Sequence, residues 1–291
     1  MRDLDSQETY LADRLGLAFE LRDLVGSGPV PRASYAGPYG VVGFGEGWWP
    51  ALLARDFAPE FTHSGTQFVL EGGYELGSSA LYAAASGAEI VRLGYREHLE
   101  VEVYAHPLSA YRYLRFLLLA TGNEDELARI DRALLAERDR LRPEVGLSKN
   151  PAKFMAYSLL ERTALWVVPD RYPGLAQAMQ QTLARVGKSL SFTPPPSALE
   201  FFLTALEARH EQGDPIAAVL IGDDERKSIA HEILDSRVDT LIELPDALAE
   251  GTLARALCYW YRVAWAAYYL ALLYGVEPGD WESLDNLRQA T

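Results

Sequence analysis

Tyr39-Gly-Val-Val-Gly-Phe-Gly-Glu-Gly-Trp-Trp49 is a short apolar run that breaks into alternating glycines and closes on two tryptophans. It predicts a buried strand over 39–44, a glycine turn, and a helix over roughly 48–56. The same grammar repeats downstream. Gln67–Leu70 reads as a second strand, followed by Glu71-Gly72-Gly73 and a helix over 75–87. Glu89–Leu93 is a third strand, and Leu99–Tyr104 alternates as a fourth. Helices over 108–121 and 123–141 follow. Upstream, Leu11, Leu15, Ala18, Leu21 and Leu24 recur at helical spacing and predict one helix over 7–25, ended by Gly26-Ser-Gly-Pro29. Strands alternating with helices at these intervals call for a parallel sheet flanked by helices.

Arg142-Pro-Glu-Val-Gly-Leu-Ser-Lys-Asn-Pro151 lacks periodicity and is the natural boundary, giving one α/β domain over residues 1–145 and another over 146–291. The second half repeats the alternation. Helix 151–162 leads to strand 164–168, and Pro173 is placed to open a long helix over 173–189. Thr193-Pro-Pro-Pro196 is a rigid break before helix 197–211. Strand 216–221, helix 224–234, strand 238–244 and helix 248–274 complete the chain. The last helix carries Tyr259, Trp260, Tyr261, Trp265, Tyr268, Tyr269 and Tyr274 on more than one face, so it has to be covered all round. The core between the two units, or a homodimer interface, would do this.

The 291 residues suit two α/β units, and a hydrophobic content of 49% can fill two cores. A formal net charge of -14 argues against nucleic acid and against a polybasic membrane contact. The single cysteine, Cys258, forbids an intramolecular disulfide, fits a reducing cytoplasmic setting, and reads as a small buried hydrophobe. The start Met-Arg-Asp-Leu-Asp has no apolar signal region, and the longest apolar run, Val263–Tyr274, is too short for a bilayer. His63, His98, His106, His210 and His231 are scattered without ligand spacing, so no metal is expected, and with no Walker loop and Trp48 where a dinucleotide fingerprint wants glycine no other cofactor is expected.

Four segments together resemble the bifunctional phosphoglucose/phosphomannose isomerase family, a branch of the sugar isomerase (SIS) proteins. Asn150-Pro-Ala-Lys153 is similar to the opening of that family's second half. Leu253-Ala-Arg-Ala-Leu257 with Tyr269–Pro278 is similar to its C-terminal helix and tail. Val41–Gly45 resembles its first glycine loop, and Phe68–Ser78 its second, phosphate-holding loop. The resemblance implies two SIS units, each a parallel sheet flanked by helices, a homodimer, and a sugar-phosphate site where the units meet. It assigns substrate binding to Gly43, Gly45, Gly47, Gly72, Gly73, Ser78 and Ser79.

The reactive positions depart from the family pattern. Gly47 stands where the family has a phosphate-binding serine, and Trp48 and Trp49 replace small residues. Glu75 falls at a threonine position, and Glu46 and Glu71 lie in the same turns. A carboxylate about 5 Å from a phosphate charge costs about 3 kcal/mol per charge pair at an effective dielectric near 20, unless it points to solvent. The family's catalytic glutamate maps to Phe192, which takes no proton. His210 is the nearest candidate for its histidine. Its arginine maps to Leu108, with Arg112 one turn on. Its C-terminal lysine maps to Arg288, a poor acid at neutral pH. Three functions stay open: a sugar-phosphate binding protein with isomerase activity weakened or lost, an active glucose 6-phosphate/mannose 6-phosphate isomerase with relocated groups, and a structural dimer with a filled cleft.

Overall fold

A computed structural model describes residues 2–31, 34–71, 87–94, 101–102, 108–194, 204, 206, 215–222, 225–244, 246–247 and 249–280. Contacts divide the described chain into two compact units, one of residues 23–132 and one of 2–22 with 133–280.

In the unit of residues 23–132, strands β1 (Tyr39–Phe44), β2 (Thr66–Glu71), β3 (Glu89–Gly94) and β4 (Val101–Glu102) form a parallel sheet in the order β1-β2-β3-β4. Val41 pairs with Phe68 and Phe68 with Val91, so the apolar centres of three strands lie side by side. Both faces of such a sheet are covered, which is why these strands read as continuous apolar runs. Buried Gln67 ties the strand entry: its amide donates to the Glu60 carbonyl at 3.0 Å and its oxygen accepts from Thr62 N–H at 3.0 Å. Helix α2 (Trp48–Leu53) follows β1 and α3 (Ser109–Ala120) follows the sheet, and α4 (Glu124–Leu141) begins in this unit and continues from Ala133 as part of the other. The helix expected over 75–87 lies outside the described residues except for Gly87, as does all of the fourth strand except Val101 and Glu102.

The other unit opens with the N-terminal segment, where the single helix expected over 7–25 is two pieces. A 3-10 helix covers Gln7–Ala12 and α1 covers Leu17–Arg22. The Asp13 carboxylate accepts from Leu17 N–H at 2.8 Å and Ala18 N–H at 3.0 Å, which starts α1 afresh. Leu11 is consequently 76% exposed, while Leu17 and Leu21 turn inward. Local capping thus overrides the apolar period.

Strands β5 (Thr163–Val167), β6 (Ser191–Phe192), β7 (Ile216–Leu220) and β8 (Thr240–Glu243) form a second parallel sheet in the order β6-β5-β7-β8. Helices α5 (Pro151–Leu159), α6 (Leu175–Arg185), α7 (Glu225–Leu234) and α8 (Thr252–Tyr274) accompany it. Pro173 does not open α6. Gly174 intervenes with φ +77° as the N-cap, a conformation that favours glycine, and the helix begins at Leu175. Of the helix expected over 197–211, only Thr204 and Leu206 are among the described residues. Every residue of α8 from Ala256 to Leu273 is buried. Within this unit α8 is covered by α5, α6, α1 and the N-terminal 3-10 helix. Cys258 lies in its core, where burial pushes the thiol up to about 12, so it stays protonated.

Buried charge fastens these elements. Asn150 caps α5, accepting from Ala152 and Lys153 N–H, while its amide donates to the carbonyls of Leu141 and Arg142. The Lys153 ammonium is 1% exposed and donates to the Leu4 carbonyl (2.8 Å), the Asp5 carboxylate (2.8 Å) and the Pro143 carbonyl (2.9 Å). Arg262, fully buried at mid-α8, donates through Nε at 2.8 Å and Nη2 at 2.5 Å to the two oxygens of Glu137.

Removing one partner of such a pair strands the other in low dielectric. Arg262→Met should therefore cost about 3–5 kcal/mol in denaturant unfolding, more than its change in apolar volume. Lys153 holds the Asp5 carboxyl below its ordinary value of 3.8. This contribution is complete above that value and lost as pH falls through the lower folded value. The difference in melting temperature between wild type and Asp5→Asn should shrink between neutral pH and about pH 3.

Candidate functional site

Parallel α/β sheets expose their helix-entry loops at the carboxyl ends of the strands, and small ligands bind there. At that edge of the first sheet, β1 ends at Phe44 and the chain turns through Gly45–Gly47 into α2. Each glycine has a steric reason. A Cβ on Gly43 would lie 1.9 Å from the Gly47 carbonyl oxygen, and a Cβ on Gly47 would lie 2.3 Å from the Leu70 carbonyl oxygen. Gly45 holds φ +54°. The turn is thus pressed against the end of β2, and there is no room for a serine at position 47. The two tryptophans part company: Trp49 is 3% exposed, and Trp48 is 45% exposed.

The structure brings Gly43, Gly45 and Gly47 into one turn at this edge. Gly72, Gly73, Glu75, Ser78 and Ser79, of the second loop, lie outside the described residues, as do His210 and Arg288. The directions of the Glu46 and Glu71 side chains are likewise outside what is described. Leu108, at the position the resemblance gives to an arginine, is fully buried just before α3. Arg112 sits in the first turn of α3 with its β and γ carbons close to Gly28, 3.4 Å from where a Cβ there would lie.

In the second sheet, Phe192 ends the two-residue strand β6, opposite Leu165, the middle residue of β5. Its ring packs against the cluster of Leu165, Val167, Ala218, Leu220, Ala230 and Leu234. Next to it the Thr193 hydroxyl donates to the Trp166 carbonyl at 3.1 Å. The sequence reading did not foresee β6, because two residues are too few for alternation to show.

That reading also missed a polar cluster at the carboxyl edge of this sheet. Glu243, the last residue of β8, meets Lys227 Nζ at 2.8 Å and His231 Nε2 at 3.0 Å. Lys227 and His231 are four residues apart on α7, which puts them on one helix face, and that spacing is the one signal the sequence offers. The hydrogen bond from Lys227 holds the Glu243 carboxyl below its ordinary value, so it stays anionic near neutral pH. Among the described residues no group of three or more His, Cys, Asp or Glu side chains could hold a metal ion. No described helix is long and apolar enough to cross a membrane.

Comparison with known proteins places this geometry in a lineage. The family model for the phosphoglucose isomerase N-terminal domain matches residues 17–122. The one for the bacterial phospho-glucose isomerase C-terminal SIS domain matches residues 148–290. A search of curated proteins found no match. Among solved structures, a glucose-6-phosphate isomerase like protein from Thermus thermophilus is 56% identical, with all of both chains covered and a TM-score of 0.92. Two more distant structures share the fold. Glucosamine-6-phosphate deaminase from Thermotoga maritima is 11% identical, with 95% of this chain and 96% of that one covered and a TM-score of 0.57. Glucose-6-phosphate isomerase from Chlamydia trachomatis is 12% identical, with 98% and 72% covered and a TM-score of 0.56. With two parallel sheets flanked by helices and both halves matched, the chain belongs to the phosphoglucose isomerase-like family of SIS-domain proteins.

Proposed function

We propose that this protein binds a sugar phosphate such as glucose 6-phosphate or mannose 6-phosphate, with aldose–ketose isomerase activity weakened or lost. The observation that carries the reading is Phe192. At the position the resemblance gives to the proton acceptor, an aromatic ring packs into a hydrophobic cluster. Isomerisation moves a proton between adjacent carbons and needs a base whose affinity for it suits neutral pH. Glu243, the acidic group in the polar cluster at the carboxyl edge of the same sheet, is displaced the wrong way for that task, being held low by Lys227. At the first sheet edge, Gly47 carries no hydroxyl and has no space for one. Gly43, Gly45 and Gly47 remain the proposed backbone contacts to ligand, with Gly72, Gly73, Ser78 and Ser79 proposed for the second loop. His210, Arg112 and Arg288 are proposed as the polar groups of any residual catalysis. A cytoplasmic homodimer completes the reading, with no nucleic-acid or membrane partner.

Purified protein incubated with fructose 6-phosphate should form no glucose 6-phosphate above the uncatalysed background in a coupled assay. Turnover abolished by His210→Ala would replace this reading with that of an active isomerase. Sugar phosphates should nevertheless raise the melting temperature, since a ligand at a hundred times its Kd adds about 2.7 kcal/mol to stability. Gly47→Ser, which restores the family's hydroxyl, should destabilise the protein by about 1–3 kcal/mol in urea unfolding, because the new Cβ has to displace the end of β2.

A further inference from the structure

Trp48 occupies an unusual place for so large an apolar side chain. It follows the glycine turn directly, at the carboxyl edge of a parallel sheet. Its neighbour Trp49 is buried, and the α2 residues Pro50, Ala51 and Leu53 are buried with it. Trp48 alone of the two tryptophans keeps 45% of its surface in solvent. Its backbone is held firmly. Gly43 is closed against the Gly47 carbonyl and Gly47 against the Leu70 carbonyl, so the residue after Gly47 is fixed relative to β1 and β2. A half-exposed indole carried on a fixed backbone at the carboxyl edge of a parallel sheet is an arrangement that can present a flat apolar face to a ligand.

The surrounding chemistry says what that face would meet. Position 47 offers no hydroxyl to a phosphoryl group, and α2 has only six residues. The chain carries a formal charge of -14, which works against a dianion at long range. An electrostatic grip on phosphate is therefore poorly supported at this turn. A sugar ring offers something else, a face of weakly positive C–H bonds that suits the negative face of an indole. Resting on the reading above, we propose that Trp48 is the platform on which the sugar ring of the ligand stacks. At this turn the contribution to affinity comes from the ring of the sugar, through the indole face of Trp48. Selectivity should then follow the ring face presented to the indole more closely than the phosphoryl group.

Isothermal titration of glucose 6-phosphate into wild type, Trp48→Phe and Trp48→Ala tests this, with inorganic phosphate as the second probe. The expected result is binding by wild type, about tenfold weaker binding by Trp48→Ala, and an intermediate value for Trp48→Phe, whose smaller ring still stacks. Inorganic phosphate should bind much more weakly than the sugar phosphate. Where Trp48→Ala lowers the melting temperature of the free protein, Trp48→Leu keeps apolar bulk without a π face and should show the same loss. Equal affinity in wild type and Trp48→Ala would overturn the stacking role and leave sugar-phosphate binding standing. Inorganic phosphate matching the sugar phosphate would also overturn it. No binding of either glucose 6-phosphate or mannose 6-phosphate by wild type would sink both this inference and the reading it rests on.

Discussion

The close approach of the Gly47 backbone to the Leu70 carbonyl is the constraint that shapes the carboxyl edge of the first unit's sheet. At 2.3 Å from that oxygen a Cβ has no place, so the turn keeps its shape only while residue 47 has no side chain. A chain that gained a hydroxyl there would need a different turn. Turn geometry and hydroxyl chemistry are therefore coupled at this position. The loop can remain recognisable as a glycine loop while being sterically unable to hold the serine that the resemblance leads one to expect.

The second unit rests on interactions of another kind. Asn150 and Lys153 join the end of α4, the start of α5 and the N-terminal segment through hydrogen bonds that leave the ammonium with three oxygen partners. Arg262 and Glu137 do the same between α8 and α4. Such groups contribute little net stability when intact, since desolvation offsets most of the attraction, but they penalise any other arrangement heavily. They fix which helix face meets which. This matters for α8, whose apolar surface alone would accept many rotations about its axis.

What the sequence discloses follows the reach of each interaction. The strands are legible because parallel sheets bury both faces and leave continuous apolar runs, and the turn at 43–47 is legible because glycines at that spacing have few other uses. The start of α5 is legible from Asn150 and Pro151, a cap and a first-turn proline. The break in the N-terminal helix is not, because Asp13 could equally sit on the polar face of a continuous helix. Only the fold decides that its carboxylate turns to Leu17 and Ala18. The neighbours of Phe192 are also hidden from the sequence, since they come from β5, β7 and α7, strands and a helix far apart along the chain. Lys227, His231 and Glu243 meet for the same reason, with only the spacing of the first two visible beforehand.

These observations separate two things that a family resemblance normally carries together. Asn150-Pro-Ala-Lys153 is among the segments through which the resemblance is recognised, and in the structure its polar groups cap a helix and bind the N-terminal segment. The C-terminal segments that resemble the family supply α8, which is buried core. The glycines of the first loop are retained because the backbone requires them. The resemblance is thus carried largely by residues under structural constraint, which persist whether or not a reaction is performed. Reactive side chains face no such requirement. Phe192, at the position the resemblance gives to a base, is held by its packing against a hydrophobic cluster, a role that asks nothing of proton transfer. Family membership is therefore legible from the scaffold, whereas the reaction has to be read from the side chains themselves.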